Sequence, residues 1–272
     1  MRAVVLCYHG INIHGNQHEN NDHVALAQDL RLIHSLRLPI ISLHTLVAAL
    51  DDSTNNLGPC VALSFDDGSW FDWHDLNHPS CGPQRSFANI LADFEQDTNQ
   101  PAPATSFVIA SPEARDILDH TCMIGKGWWG DEWWSPAIET GRLSIENHSW
   151  DHQHETLPSI ASGLPGGMFS NVADHTSADI QIRQASAYLD MMLPQRRTRL
   201  FAYPYGETTD YLTSEYLPDF RHEHGLDAAF TTQPEPVTSH SSRWLLGRYV
   251  CGHHWKSTDT LHPLLKDALG VR

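Results

Sequence analysis

A short apolar run ending in two adjacent acids constrains this chain more than any other stretch: Val61-Ala62-Leu63-Ser64-Phe65-Asp66-Asp67-Gly68. Val61 to Phe65, bounded by turn formers, reads as a strand buried on both faces, the kind a parallel sheet uses. Gly68 permits the tight turn that ends it. Asp66 and Asp67 are thereby delivered to the carboxyl end of a core strand, where α/β folds gather their chemistry. Adjacent carboxylates repel, and both ionise comfortably only where a cation or hydrogen-bond donors compensate. The pair asks for a metal or for two different jobs. The bland alternative is an Asp-Asp-Gly turn with both side chains in water.

A second segment narrows the choice. Glu146-Asn147-His148-Ser149-Trp150-Asp151-His152 follows Gly141-Arg142-Leu143-Ser144-Ile145, which reads as a short strand. The four-residue spacing of His148 and His152 predicts a helical turn with both rings on one face, able to share a cation. Two imidazoles and a carboxylate make a three-ligand set that leaves positions open for water and substrate. With 19 histidines in the chain, such spacing also arises by chance, and His18, His23 or His120 are equally tempting. What singles out this pair is its place at the end of a predicted strand, like the Asp pair.

Strands and helices alternate along the rest. Strands are predicted over 2–8, 39–43, 61–65, 104–109, 198–202, 228–231 and 245–250, and helices over 24–36, 46–50, 86–94, 177–193 and 259–269. Ser111-Pro112-Glu113 opens another helix, with Ser as N-cap and Pro in the first turn. Repeated βα units around one sheet point to a barrel.

These motifs resemble, in order, those of the polysaccharide deacetylase family of carbohydrate esterases (the NodB-homology domain). Ser64-Phe65-Asp66-Asp67-Gly68 is similar to its first motif and His148-Ser149-Trp150-Asp151-His152 to its second. Phe201-Ala202-Tyr203-Pro204-Tyr205-Gly206 is similar to its third. The resemblance runs from the first strand to about Val250 and implies a distorted (β/α)7 barrel, with residues 1–272 as one catalytic domain. It implies Asp67, His148 and His152 as metal ligands and Asp66 as the base that takes a proton from the attacking water. It also implies the Tyr205 N–H as an oxyanion donor. Zinc is the first choice of metal, with cobalt, nickel or manganese as alternatives.

Two departures matter. The family's acid histidine often lies near the C-terminus in a Leu-x-x-His setting. Here Leu261-His262 and His253-His254 stand in the wrong context. Val4-Val5-Leu6-Cys7-Tyr8-His9-Gly10 resembles instead the opening strand of members with rearranged motif order, which makes His9 the acid that protonates the leaving amine. The third motif also lacks the Arg that orients the base. Arg248, inside the apolar run 245–250, is the substitute expected, because a charge in such a run needs a partner.

The reaction implied is hydrolysis of an N-acyl group, most simply N-acetyl, from an amino sugar or polysaccharide. Hydrolysis of a non-sugar amide by the same site and a non-catalytic carbohydrate-binding scaffold are the alternatives. A carbohydrate or small amide is the expected partner, and the oligomeric state is left open. The formal charge of −16 disfavours nucleic acid and anionic membranes. No run is long enough to span a bilayer. Five cysteines without regular spacing argue against a disulfide framework. No charged-then-apolar leader precedes the first strand, so the cytoplasm is the expected compartment. Two insertions read as functional. Gly125–Trp134 carries four tryptophans suited to stacking on sugars, although Trp133 and Trp134 equally suit packing under the rim. Residues 154–174 would form a lid.

Overall fold

Residues alternate between two faces along β1 (Arg2–His9) and β2 (Pro59–Asp66), which pair in parallel with His9 opposite Asp66. Ala3, Val5, Cys60 and Ala62 face an apolar cluster that also holds Phe107, Ala202, Phe230 and Leu246. Val4, Leu6, Tyr8, Val61, Leu63 and Phe65 face the opposite way, against α1 (Asp22–Ser35) and α2 (Phe87–Thr98). Both faces of the central strands are therefore buried, as the apolar run required. Fully burying each large side chain contributes roughly 1.5–3 kcal/mol. The computed structural model describes residues 1–51, 57–157 and 166–271.

From β2 the sheet continues in parallel through β3 (Ala104–Val108), β4 (Leu143–Asn147), β5 (Leu200–Ala202) and β6 (Ala228–Phe230). The segment after β6 closes the ring. Leu246 bridges Phe230 in parallel, and β7 (Tyr249–Val250) pairs with Leu6 and Cys7 of β1. Seven parallel positions thus surround one interior, giving the (β/α)7 barrel expected from the motifs. The distortion lies at the seam. Only Tyr249–Val250 form a ladder there, not the whole predicted run, and at Gly247 the chain passes close to neighbouring backbone. A Cβ at this position would sit 2.5 Å from the Glu235 carbonyl oxygen.

Local signals act where the sequence places them. Ser111 Oγ accepts from Ala114 N–H and caps α3 (Pro112–Thr121). The helix predicted over 177–193 begins earlier, at His175, and contains a π-helical turn, Asp179–Gln184. Several features escaped the sequence pattern, among them the helical segments Leu212–Tyr216, Leu217–Asp219 and Arg221–His224, the hairpin Leu76–His78/Gly82–Gln84 and Val237–Thr238, which pairs antiparallel with the start of β1. Asp29, fully buried on α1, takes hydrogen bonds from His18 Nε2 (2.7 Å), Trp255 Nε1 (2.8 Å) and Tyr8 Oη (3.0 Å). These tie α1 to β1 and to the segment preceding α4 (Thr258–Leu269). No helix among the described residues is long and apolar enough to cross a membrane.

Candidate active site and metal centre

The inward faces of β1 and β2 carry Cys7 and His9, and Ser64 and Asp66, so alternation alone aims His9 and Asp66 into one end of the barrel. Arg248 enters from the seam beside them. Its Nη1 donates to Asp66 Oδ1 at 2.6 Å and its Nη2 to Oδ2 at 2.8 Å, and both residues are buried. Such forked pairing fixes a carboxylate in orientation as well as charge. Burial alone would raise the Asp66 pKa. Arg248 outweighs it, with His148 and His9 adding to the effect, so the carboxyl is held well below the usual range.

Asp67 is the next residue, yet its surroundings are opposite. Its backbone has φ 76, and Gly68 follows at φ 73, where a Cβ would lie 2.4 Å from Val108 Cγ1. Among the described residues with positive φ other than glycine, Asp67, Ser149, His152, Gln153 and Tyr205 all gather at this end of the barrel. Backbone held in so sparse a region marks functional clefts. Trp129 Nε1 and Ile109 N–H donate to the Asp67 carbonyl, at 3.0 and 3.4 Å. They brace the strained peptide while the carboxylate takes no hydrogen bond from any described residue.

Two imidazoles face that carboxylate. His148 Nε2 lies 3.6 Å and His152 Nε2 3.7 Å from Asp67 Oδ1. His148 Nδ1 is 2.9 Å from the Ala202 carbonyl, so Nδ1 carries a proton and Nε2 is the ring atom turned toward Asp67. Burial, then the neighbouring His148 and His154, pushes the His152 pKa well below its ordinary value and keeps the ring neutral. One ligand atom from each of Asp67, His148 and His152 falls within a span of 4.8 Å. Imidazole nitrogens turned on a carboxylate to which no ammonium or guanidinium donates fit a divalent cation. Cys7, His9 and Asp66 form a second group within the same span. Arg248 already neutralises that Asp66, and burial raises the Cys7 thiol well above its ordinary pKa, so this group does not fit one.

The helical turn expected for His148 and His152 is absent. After β4 the chain makes successive side-chain-capped turns: Asn147 Oδ1 accepts from Ser149 N–H, Ser149 Oγ from His152 N–H, and Asp151 Oδ1 from Gln153 N–H. Ser149 at φ 71 and His152 at φ 61 are incompatible with a helix. The two rings meet through these turns instead, with centroids 4.9 Å apart.

A cleft of about 440 Å3 opens over the cluster and is lined by His9, Asp66, Asp67, His148, His152 and Tyr205. All seven residues singled out in the sequence thus meet at one end of the barrel; Arg248 alone lies beneath the cleft, behind Asp66. Tyr205, φ 57 and 42% exposed, sets its ring edge against His152. His9 N–H donates to Asp22 Oδ2 at 2.7 Å, and its Nδ1 has no described partner. His154 and His253 also line the cleft; the sequence context of His253 had pointed away from it. The tryptophan segment is largely a brace. Trp129, Trp133 and Trp134 are buried, and Arg115 stacks on Trp134 while holding the Trp129 carbonyl. Much of the expected lid, residues 158–165, lies outside the described residues. A larger cavity of about 570 Å3, between α1 and α2, lies away from this cluster.

The fold and cleft define an α/β-barrel hydrolase class with a candidate metal triad at the carboxyl ends of its strands. The polysaccharide deacetylase family model matches residues 53–217, more than half of the chain, which belongs to that family. Several solved structures share the fold along nearly their whole length. The Streptococcus pyogenes deacetylase PplD, solved with acetate, has a TM-score of 0.62 at 16% identity, over 97% of this chain and 98% of that one. A de-N-acetylase from Aggregatibacter actinomycetemcomitans has a TM-score of 0.66 at 14% identity, over 97% and 100%. IcaB from Ammonifex degensii has 0.60 at 19% identity, over 97% of each chain. At such identities these likenesses speak to the fold alone. Among curated protein sequences none matches the chain.

Proposed function

We propose that residues 1–272 serve as one catalytic domain, a divalent-metal-dependent N-deacetylase acting on an amino sugar within an oligo- or polysaccharide. The observation that carries this reading is the unequal treatment of adjacent acids: Asp66 clamped by Arg248, Asp67 left open toward two imidazoles. Asp67, His148 and His152 would hold the cation, with zinc the first choice for this donor set. When bound, such an ion acidifies water and polarises the acyl carbonyl.

The chain's own groups divide the remaining work. Arg248 holds Asp66 ionised and aimed, so it is ready to accept the proton of the attacking water. The Tyr205 N–H, on the peptide that follows Pro204, would stabilise the oxyanion. His9, opposite Asp66 on the neighbouring strand, donates a proton to the leaving amine. Membership of the polysaccharide deacetylase family supports an N-acetyl sugar as substrate.

The test is acetate release from N-acetylated chito-oligomers by protein reloaded with zinc or cobalt, beside Asp66→Asn. Wild type should release acetate, and the variant should keep its metal while turnover falls by about 10²–10⁴-fold. Metal-loaded wild type that opens cyclic amides but leaves every N-acetyl sugar intact would overturn the reading.

A further inference from the structure

We propose that Trp129 is a positioning residue for the metal centre: its indole N–H fixes the peptide that aims Asp67, and through that bond it sets metal affinity. The inference rests on the metal triad proposed above and names what holds its carboxylate in place. The three ligands are oriented in different ways. The His148 ring is held directly, by Nδ1 on the Ala202 carbonyl. The His152 backbone is held by Ser149 Oγ. The Asp67 carboxylate takes no hydrogen bond from any described residue, so the backbone alone sets its direction. That backbone lies at φ 76 and is followed by Gly68 at φ 73. A residue other than glycine stays in this region only where its surroundings enforce it.

Trp129 supplies the shorter of the two bonds that do so. Its Nε1 lies 3.0 Å from the Asp67 carbonyl oxygen, against 3.4 Å for the Ile109 N–H. Without the indole donor this buried carbonyl keeps one long bond, and the Asp67–Gly68 peptide loses a contact that opposes its rotation. Trp129 is in turn anchored by two buried charged residues of α3. Arg115 Nη1 donates to the Trp129 carbonyl at 2.9 Å and Nη2 to Asp131 Oδ2 at 2.7 Å. The Asp119 carboxylate accepts from Gly127 N–H at 2.8 Å and Trp128 N–H at 3.1 Å. A segment without regular structure is thus pinned on both sides of Trp129. Trp133 and Trp134 are buried in the same segment, yet their N–H groups have no partner among the described residues. Packing accounts for those two, whereas the Trp129 N–H is bonded to the peptide of a metal ligand.

The experiment measures zinc affinity by competition with a chromophoric chelator, beside acetate release from N-acetylated chito-oligomers. Trp129→Phe removes the N–H and keeps an aromatic ring. Replacing the Trp129 indole by benzothiophene, with sulfur in place of N–H, keeps the full shape and serves if the first variant folds poorly. Both should weaken zinc binding by about 10–100-fold, the loss usual when a metal ligand is deprived of its outer support. Trp133→Phe makes the same chemical change at a buried indole whose N–H has no partner. It should melt at a lower temperature and bind zinc as wild type does. A benzothiophene protein with wild-type zinc affinity overturns the inference. So does an equal loss of affinity in Trp133→Phe, because packing of the segment would then be the cause. Wild type that loads zinc and variants that lose it as expected, with no sugar deacetylated, uphold the inference and sink the deacetylase reading. Wild type that takes up no divalent cation overturns both.

Discussion

Asp29 and Asp67 are both buried acids, and the molecule treats them in opposite ways. Asp29 is saturated: an imidazole, an indole and a phenol all donate to it. Burial lowers the His18 pKa, but the hydrogen bond and charge of Asp29 outweigh it and raise that pKa. Asp67 receives no such donor. Two imidazole nitrogens face it at 3.6 and 3.7 Å, and its own backbone sits at positive φ. A carboxylate built for stability is surrounded by protons, while one built to take a cation is faced by other candidate ligands. Where no cation is bound, the second arrangement costs stability, as functional sites commonly do.

The sharpest way to break this contrast is to neutralise each acid in turn. Asp67→Asn should abolish metal uptake and turnover while leaving thermal stability of the metal-free protein unchanged or higher, because a repulsive, unpaired acid is removed. Metal analysis and a melting curve check both halves. Asp29→Asn should do the reverse, costing about 3 kcal/mol in a denaturant titration while the metal stoichiometry stays that of wild type. A smaller effect comes from a buried base. His23, stacked on Phe87 with centroids 4.3 Å apart, has its pKa lowered by burial to about 4. Below about 6.5 the unfolded chain takes up a proton that the folded chain refuses until about 4, so stability declines as pH falls through that window and is flat above it. The loss reaches at most about 3 kcal/mol. His224, also lowered by burial to about 4, acts in the same direction. His23→Phe should flatten part of the slope, read from unfolding free energies across the acid range.

The legible parts of this molecule were those with a local cause. The run Val61–Phe65 is apolar because both faces of its strand are buried, so strand, sheet class and the position of Asp66 could all be read from it. Ser111 announced α3 for the same kind of reason. The strand-end context that singles out His148 and His152 holds, but the geometry of their spacing does not. Spacing suggested a helical turn, whereas Ser149 and Asn147 side chains bend the backbone into turns whose sign no periodicity reveals. The tryptophans misled in part because an indole under the rim and one facing a sugar have the same sequence context. Trp129 is set apart by its bond to the Asp67 carbonyl, 62 residues away in sequence. Arg248 was legible as a charge in need of a partner, but which acid it meets depends on barrel closure.

That closure has a consequence for how the protein comes into being. The seam segment carries Arg248 and joins β6 to β1, so β1 finds this neighbour only after every other described strand of the sheet has been synthesised. Until then Asp66 stands without its guanidinium and His9 on an open edge. A nascent or C-terminally clipped chain can hold every ligand of the metal triad and still be inert. Appearance of activity during synthesis or refolding would therefore time the sewing of a single seam.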